Sequence, residues 1–403
     1  MMKMKKIFLV IACVVLTAAV NVRAASDNVT VIVSLDGFRW DYAEAFDAPF
    51  MKYMADNGVK AVMQPSFPSK TFPNHYTLAT GLRPDHHGIV ANEFRDRSNG
   101  KLFTLKDGSM RANPKYYGGD PIWLTARRQG LRVATVYWVG SDVAVKGSHP
   151  NYWEDYQKRP LLTLEQRADK IIKYLKMPDG KRPNLIMAYF EEPDASGHRF
   201  GPVSAATRHS FELVDRLLKD LWQRIEELPI AGKVNLIVTG DHGMSWLDTA
   251  RAVPVKRYLK DEWVNEVLGS LPAFVNVSRP EYADSVVQAL AKVDHVRAWK
   301  RGDVPAYLEY GKNPNVGDVV VLPDVGWLFT DAPIKAGTGN HGFDNTACDM
   351  QVGFRAMGAD FKTGYVKAGE FRNVSIYPLL CHLLGIDPSP NDGDLGEVSD
   401  MLK

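Results

Sequence analysis

Cysteine is scarce, with three in 403 residues. A chain this poor in cysteine has no disulfide framework that could stand in for a hydrophobic core. Charge of one sign is also lacking. Forty-nine basic residues face 47 acidic ones, a formal net of +2, so the basic surplus of a sequence-independent nucleic-acid binder is absent. Acids are missing from residues 1–24, which carry Lys3, Lys5, Lys6 and Arg23. Without those four bases the 49 become 45 against 47 acids, a net of −2. No internal repeat or low-complexity tract occurs. Beyond the N-terminal stretch, no segment approaches the ~20 apolar residues that a membrane-spanning helix needs. Hydrophobic residues at 45% and charged residues at 24% exclude a disordered or fibrous chain.

What is present begins with that stretch. Three lysines precede an apolar run over 7–20, and small residues come after it at Ala24 and Ala25. This is the pattern of a secretory signal peptide over 1–24, cleaved near Ala24, with a periplasmic or secreted product. The apolar run is too short for an anchor, so the mature chain is expected to lack a transmembrane segment. Cys13 leaves with the signal; Cys348 and Cys381 remain, and the sequence leaves open whether they pair.

Apolar runs over 29–35, 132–137, 184–190, 234–239 and 350–357 read as buried strands. Between them lie helical patterns. The clearest covers 205–228, where Phe211, Val214, Leu218, Leu221, Ile225 and Leu228 recur at three and four. Strands alternating with helices predict an α/β fold with a mostly parallel central sheet flanked by helices. Residues of about 250–335 differ in texture and read as a smaller α+β insertion. There Ser278 and Glu281 have capping-box spacing before a helix through about Val293. A last helix is expected near 374–384. The division is a signal over 1–24 and one catalytic domain over 25–403 that contains the insertion.

Chemistry gathers at the carboxyl ends of these strands, where such sheets place their sites. Asp36 comes after the first run, Asp194 and His198 after the third, and Asp241 and His242 after the fourth. His341 comes as the chain returns. Three carboxylates and three imidazoles suit two first-row metals sharing one site, not one closed structural zinc. Each fragment alone is weak, since Asp-His-Gly is usually a turn. In the segment 65–76, Pro73 suits a first helical turn and Gly81 a helix stop. Thr71 then sits near the N-cap. It either caps the helix or presents its hydroxyl at a positive helix end that holds phosphate; local sequence favours the cap.

The motifs together carry more. Val31-Ile32-Val33-Ser34-Leu35-Asp36-Gly37, Lys70-Thr71-Phe72-Pro73-Asn74-His75-Tyr76 and Thr80-Gly81-Leu82-Arg83-Pro84 come first. Glu192-Pro193-Asp194-Ala195-Ser196-Gly197-His198, Gly240-Asp241-His242-Gly243 and Asn340-His341-Gly342 come next, in that order. This set, spread over about 28–386, resembles the nucleotide pyrophosphatase/phosphodiesterase family of the alkaline phosphatase superfamily. The resemblance implies an alkaline-phosphatase-like sheet and two zinc ions. Asp194, His198 and His341 would hold one; Asp36, Asp241, His242 and the Thr71 hydroxyl would hold the other. It implies that Thr71 is the nucleophile, activated by metal, forming a phosphothreonine ester that water then displaces. Asn92 falls where the family places an amide donor to a non-bridging phosphate oxygen, with backbone N–H groups of the helix start beside it.

Phe72 and Tyr189 match positions where aromatics stack on a nucleobase in nucleotide-cleaving relatives. Tyr152 and Tyr156 are candidates for the opposite wall. The substrates implied are small nucleotides cleaved at phosphodiester and pyrophosphate bonds to nucleoside 5'-monophosphates, with no stable nucleic-acid complex. Rival readings are a lysophospholipid or glycerophosphodiester phosphodiesterase, a phosphomonoesterase, and, in another class, a catalytically dead nucleotide-binding protein. No choline cage, no third metal or guanidinium at the phosphate, and no missing ligand argues for any of them.

Overall fold

The computed structural model describes residues 26–403; the expected signal peptide lies outside the described residues. Eight strands form the central sheet. They are β1 (Val29–Leu35), β2 (Val59–Gln64), β3 (Val133–Val136), β4 (Tyr152–Trp153), β5 (Leu185–Phe190), β6 (Val234–Thr239), β7 (Val352–Gly358) and β8 (Tyr365–Arg372). Their spatial order is β8-β2-β7-β6-β1-β5-β3-β4. Only β7 runs antiparallel to its neighbours, β2 and β6. The expected α/β class with a mostly parallel sheet therefore holds.

The centre of the sheet is where sequence and structure agree best. β1 and β6 begin and end as expected, and each is buried along its whole length. Helices on both faces remove them from water, so such strands read as unbroken apolar runs. The strands that escaped the sequence lie further out. β2 alternates buried and half-buried residues, with Lys60 and Gln64 on the open side. β8 contains Gly369 and a break in register between Val366 and Glu370. β4 has two residues and borrows its pairing from β3.

Four helices matter for the site: α1 (Thr71–Thr80), α2 (Leu164–Leu175), α3 (Asp194–Phe200) and α4 (Ala205–Glu226). α4 buries Phe211, Val214, Leu218, Leu221 and Ile225, the stripe its periodicity predicts. It starts where the Ser204 hydroxyl accepts from the Thr207 N–H. A second, antiparallel sheet of four strands runs Val264–Leu268, Ala273–Val277, Val319–Pro323 and Val296–Lys300, with the helix Tyr282–Leu290 packed on it. The expected capping box does not form there. The helix starts later, at Tyr282, with no side-chain cap, and the Ser278 hydroxyl donates to the Glu262 carbonyl instead. The last helix spans Ile376–Leu384. Cys348 and Cys381 are both free thiols. Among the described residues no helix is long and apolar enough to cross a membrane.

Candidate active site

Register brings the first ligands together. Ser34 of β1 lies between Tyr189 of β5 and Thr239 of β6. All three strands end within two residues of that row, so Asp36 and Asp241 leave the sheet side by side. Two backbone links tighten the join: the Asp36 N–H donates to the Phe190 carbonyl and the Asp194 N–H to the Asp36 carbonyl, both at 2.9 Å. The Gly37 N–H donates to Asp241 Oδ1 at 3.1 Å. Gly37 has φ +70°, and a Cβ there would sit 3.1 Å from Asp194 Cα, so both backbone shape and close approach call for glycine.

The six candidate ligands form two groups, Asp36–Asp241–His242 and Asp194–His198–His341; within each, the ligand atoms lie within 4.8 Å of one another. The groups abut, with the His242 and His341 rings stacked at 3.4 Å. The first group is closed in, whereas the His198 side chain is 40% exposed. Each imidazole has its Nδ1 against a backbone carbonyl: His198 with Gly339 at 2.9 Å, His242 with Gly243 at 2.8 Å and His341 with Ser69 at 2.8 Å. A carbonyl only accepts, so each Nδ1 donates, and in the neutral, metal-binding form of each ring Nε2 carries a lone pair inward.

Those lone pairs meet one another and a set of orphaned oxygens. His341 Nε2 lies 3.1 Å from His198 Nε2. Asp36 Oδ1, Asp194 Oδ1 and Asp241 Oδ2 are buried without a hydrogen bond. His242 Nε2 approaches Asp36 Oδ1 at 3.3 Å and Asp241 Oδ2 at 3.0 Å, without hydrogen-bond geometry. Burial, then the Asp241 and Asp194 charges, push the Asp36 carboxyl well above its ordinary range. Burial likewise raises Asp194. Asp241 goes the other way: burial opposes its charge, but His242 and His75 outweigh that and hold it low. Burial and the neighbouring His242, Lys70 and His198 push His341 well below its usual value. Buried carboxylate oxygens without a donor, set among imidazole nitrogens that face the same space, fit divalent cations.

Thr71 is the first residue of α1, not its cap. The cap position is Lys70, and no side chain caps the helix. The Thr71 hydroxyl lies 3.2 Å from His242 Nε2, at the closed metal group, so the local preference for a capping threonine is overturned. Asn92 accepts the Phe72 N–H at 3.2 Å through Oδ1, which leaves its Nδ2 as the end for a ligand. The same bond occupies the Phe72 N–H, and Pro73 has none. The expected backbone donors of the helix start thus reduce to the Thr71 N–H.

The aromatic candidates divide. Phe72 is half-buried against the core beside Thr71. Tyr189 donates its hydroxyl to Asp36 Oδ2 at 2.7 Å and sets its ring edge-on to His75 at 5.1 Å. Tyr156 packs edge-on against Tyr137 at 5.5 Å, with the Arg111 and Arg159 guanidiniums 5.9 and 5.7 Å from its ring centre. Tyr152 turns to α2, its ring 5.7 Å from Tyr174 and its hydroxyl on the Lys181 carbonyl. That placement does not join it to Tyr156 as a wall.

Two residues to which the sequence assigned no role are held in the site. The Lys70 ammonium donates to the His341 carbonyl at 2.5 Å, tying the Thr71 turn to the His341 loop. Burial lowers Lys70 to about 8. His75 bridges Ser34 Oγ at 2.9 Å and the Thr71 carbonyl at 3.0 Å, with Asp241 Oδ2 at 3.3 Å. Both belong to the Lys70–Tyr76 motif, and adjacency to Thr71 was the available signal.

Residues 30–344 match the model of the type I phosphodiesterase / nucleotide pyrophosphatase family. The chain is 34% identical over 386 residues to ectonucleotide pyrophosphatase/phosphodiesterase family member 3 of Bos taurus, covering 93% of this chain and 44% of that one. It is 35% identical over 390 residues to the venom phosphodiesterase CdcPDE of Crotalus durissus collilineatus, with 93% and 46% covered. The chain thus spans less than half the length of these relatives. Among solved structures, murine ectonucleotide pyrophosphatase/phosphodiesterase 5, an inactive threonine-to-alanine variant in complex with AMP, superposes with a TM-score of 0.87 at 33% identity, covering 94% of this chain and 100% of that one. This chain belongs to the type I phosphodiesterase / nucleotide pyrophosphatase family.

Proposed function

We propose that this protein is an exported, two-zinc nucleotide pyrophosphatase/phosphodiesterase that releases nucleoside 5'-monophosphates through a phosphothreonine intermediate. One observation carries the reading. Thr71 Oγ1 does not cap its helix and lies 3.2 Å from His242 Nε2, beside two adjoining groups of three candidate ligands. The relatives named as pyrophosphatases and phosphodiesterases support it, as does the neighbour that holds AMP.

Bound zinc would supply the acidity that makes a threonine hydroxyl nucleophilic at neutral pH and the positive charge that steadies the leaving oxygen. The chain's own groups do the rest. Thr71 Oγ1 attacks phosphorus in line, the phosphorus–oxygen bond to the leaving group breaks, and water later cleaves the ester with a second inversion. Asn92, fixed by the Phe72 N–H, presents its Nδ2 to a non-bridging oxygen as charge grows there. The three Nδ1–carbonyl bonds hold the imidazoles in one tautomer throughout. Phe72, next to the nucleophile, offers its ring to the base of the nucleotide that stays, and Tyr156 is the candidate for the facing wall.

The catalytic domain is taken as 25–403, with the smaller sheet within 250–335 as its insertion and residues 1–24 as the signal. The net of −2 outside that signal favours small nucleotides over a stable nucleic-acid complex. One panel tests the assignment: kcat/KM for p-nitrophenyl thymidine 5'-monophosphate, p-nitrophenyl phosphate and p-nitrophenyl phosphorylcholine on one zinc-loaded sample. The nucleotide diester should lead. A lead for the choline ester or for the monoester would assign the rival activities.

A further inference from the structure

The helix that carries Asp194 and His198 ends at Phe200, in a stretch with exposed hydrophobic side chains. Phe200, Val203, Trp246 and Val325 are among the exposed large hydrophobic side chains, Trp246 at 41%. Trp246 belongs to a two-stranded ribbon, Ser245–Trp246 against Gly339–Asn340, in which it pairs with Gly339. Paired residues project to one face of a ribbon. A Cβ on Gly339 would meet the Gly197 carbonyl at 2.7 Å, so that face looks onto α3.

The indole lies there on Gly201. A Cβ at Gly201 would come within 1.9 Å of Trp246 Cζ3, and φ is +87°, so neither the ring nor the backbone admits a side chain. Gly201 follows the last residue of α3 and comes three residues after His198, about one turn on along the chain. His198 in turn has its Nδ1 on the carbonyl of Gly339, the partner of Trp246. A large aromatic surface, 41% exposed, is thus fixed at the end of α3 and tied through Gly339 to the half-exposed His198. Its link through Gly339 is to His198 of the open group, whereas Thr71 lies against His242 of the closed one.

We propose that Trp246 is the platform for a nucleobase carried by the leaving group, so that this enzyme favours substrates with a second nucleoside beyond the cleaved bond. This rests on the function proposed above: the Thr71 nucleophile sits at the Asp36–Asp241–His242 group, so in-line displacement sends the leaving oxygen toward the adjoining Asp194–His198–His341 group. An aromatic platform suits that task because every base has a π-face, and stacking holds it without selecting a sequence. A triphosphate, which leaves as inorganic pyrophosphate, gains nothing from it.

The test compares wild type, Trp246→Ala and Trp246→Phe, zinc-loaded, on diadenosine tetraphosphate and on ATP. Trp246→Ala should lower the ratio of the two kcat/KM values about tenfold, mainly through KM, and Trp246→Phe should keep most of it. Calorimetric binding of diadenosine tetraphosphate to Thr71→Ala, with and without Trp246→Ala, should show the same loss without turnover. An unchanged ratio, or equal losses on both substrates, overturns the platform while leaving the proposed function standing. Wild type that cleaves neither nucleotide overturns both.

Discussion

The Tyr189 hydroxyl donates to Asp36 Oδ2 at 2.7 Å, while Asp36 Oδ1 faces His242 Nε2 at 3.3 Å with no hydrogen bond of its own. One oxygen of this carboxylate is anchored and the other is held out toward the closed metal group. Burial, with the Asp36 charge next, keeps the phenol well above its ordinary pKa, so it remains a donor. Tyr189→Phe keeps the ring and removes only the anchor. Zinc affinity at the closed group should fall about 10- to 100-fold, the usual cost of losing an outer partner of a ligand. Chelator competition reads this directly, and the open group should be unaffected. Unchanged affinity at both groups would leave Tyr189 with its ring alone.

Thr71→Ala should retain both metals and lose nearly all turnover, because the aspartates and histidines of both groups remain. Thr71→Ser should be partly active, limited by a looser rotamer. Two in-line displacements require net retention at phosphorus on a chiral phosphorothioate diester. Inversion would mean that water attacks directly and that Thr71 is not the nucleophile.

His341→Ala should lower metal content by about one ion per chain, since His341 is one of three protein ligands in its group. Elemental analysis after dialysis measures it. Its Nδ1 bond to Ser69 and the Lys70 bond to its carbonyl bind the loop to the Thr71 turn. The variant keeps the backbone bond and loses the imidazole. Two ions per chain in the variant would remove His341 from the ligand set.

A pH effect is expected away from the metals. Asp96 is almost fully buried. Burial would push its carboxyl up, but Lys115 at 2.5 Å, Ser98 at 2.7 Å and Tyr116 at 3.2 Å outweigh that and hold it at about 2. The folded value is below the unfolded one of about 3.9, so the stabilisation is present above that value and is lost as pH falls toward 2. The stability gap between wild type and Asp96→Asn, from urea unfolding, should be about 2 kcal/mol near pH 6 and should close between pH 4 and 2. A gap that stays constant through that window would show that Asp96 does not titrate with folding.

The parts of the site that could be read in the sequence share one property: they are local to a strand end. Asp36 directly follows, and Asp241 and His242 come two and three residues after, a strand buried along its length, and Asp194 and His198 lie close beyond Phe190. The capping box at Ser278 failed for the opposite reason. Its spacing was right, but the Glu262 carbonyl, 16 residues earlier, claimed the hydroxyl. Which of Tyr152 and Tyr156 could face the site was likewise not legible from their proximity in sequence: β4 packs Tyr152 against Tyr174 of α2, while Tyr156 packs on Tyr137.

The sequence by itself determined the ligand types, the strands that carry most of them and, through its motifs, the family. A buried parallel strand must be apolar throughout and must deliver the residues beyond its carboxyl end to one edge of the sheet, and both facts are written in neighbouring residues. Only the tertiary structure decided that the Thr71 hydroxyl does not cap its helix, that Asn92 turns its oxygen to Phe72, that Tyr189 anchors Asp36 and that Trp246 rests on Gly201. Each depends on a contact between residues 20 to 153 positions apart, or farther for Thr71 and His242 at 171. Which end of an amide or which oxygen of a carboxylate is free is set by the partner that packing brings to it.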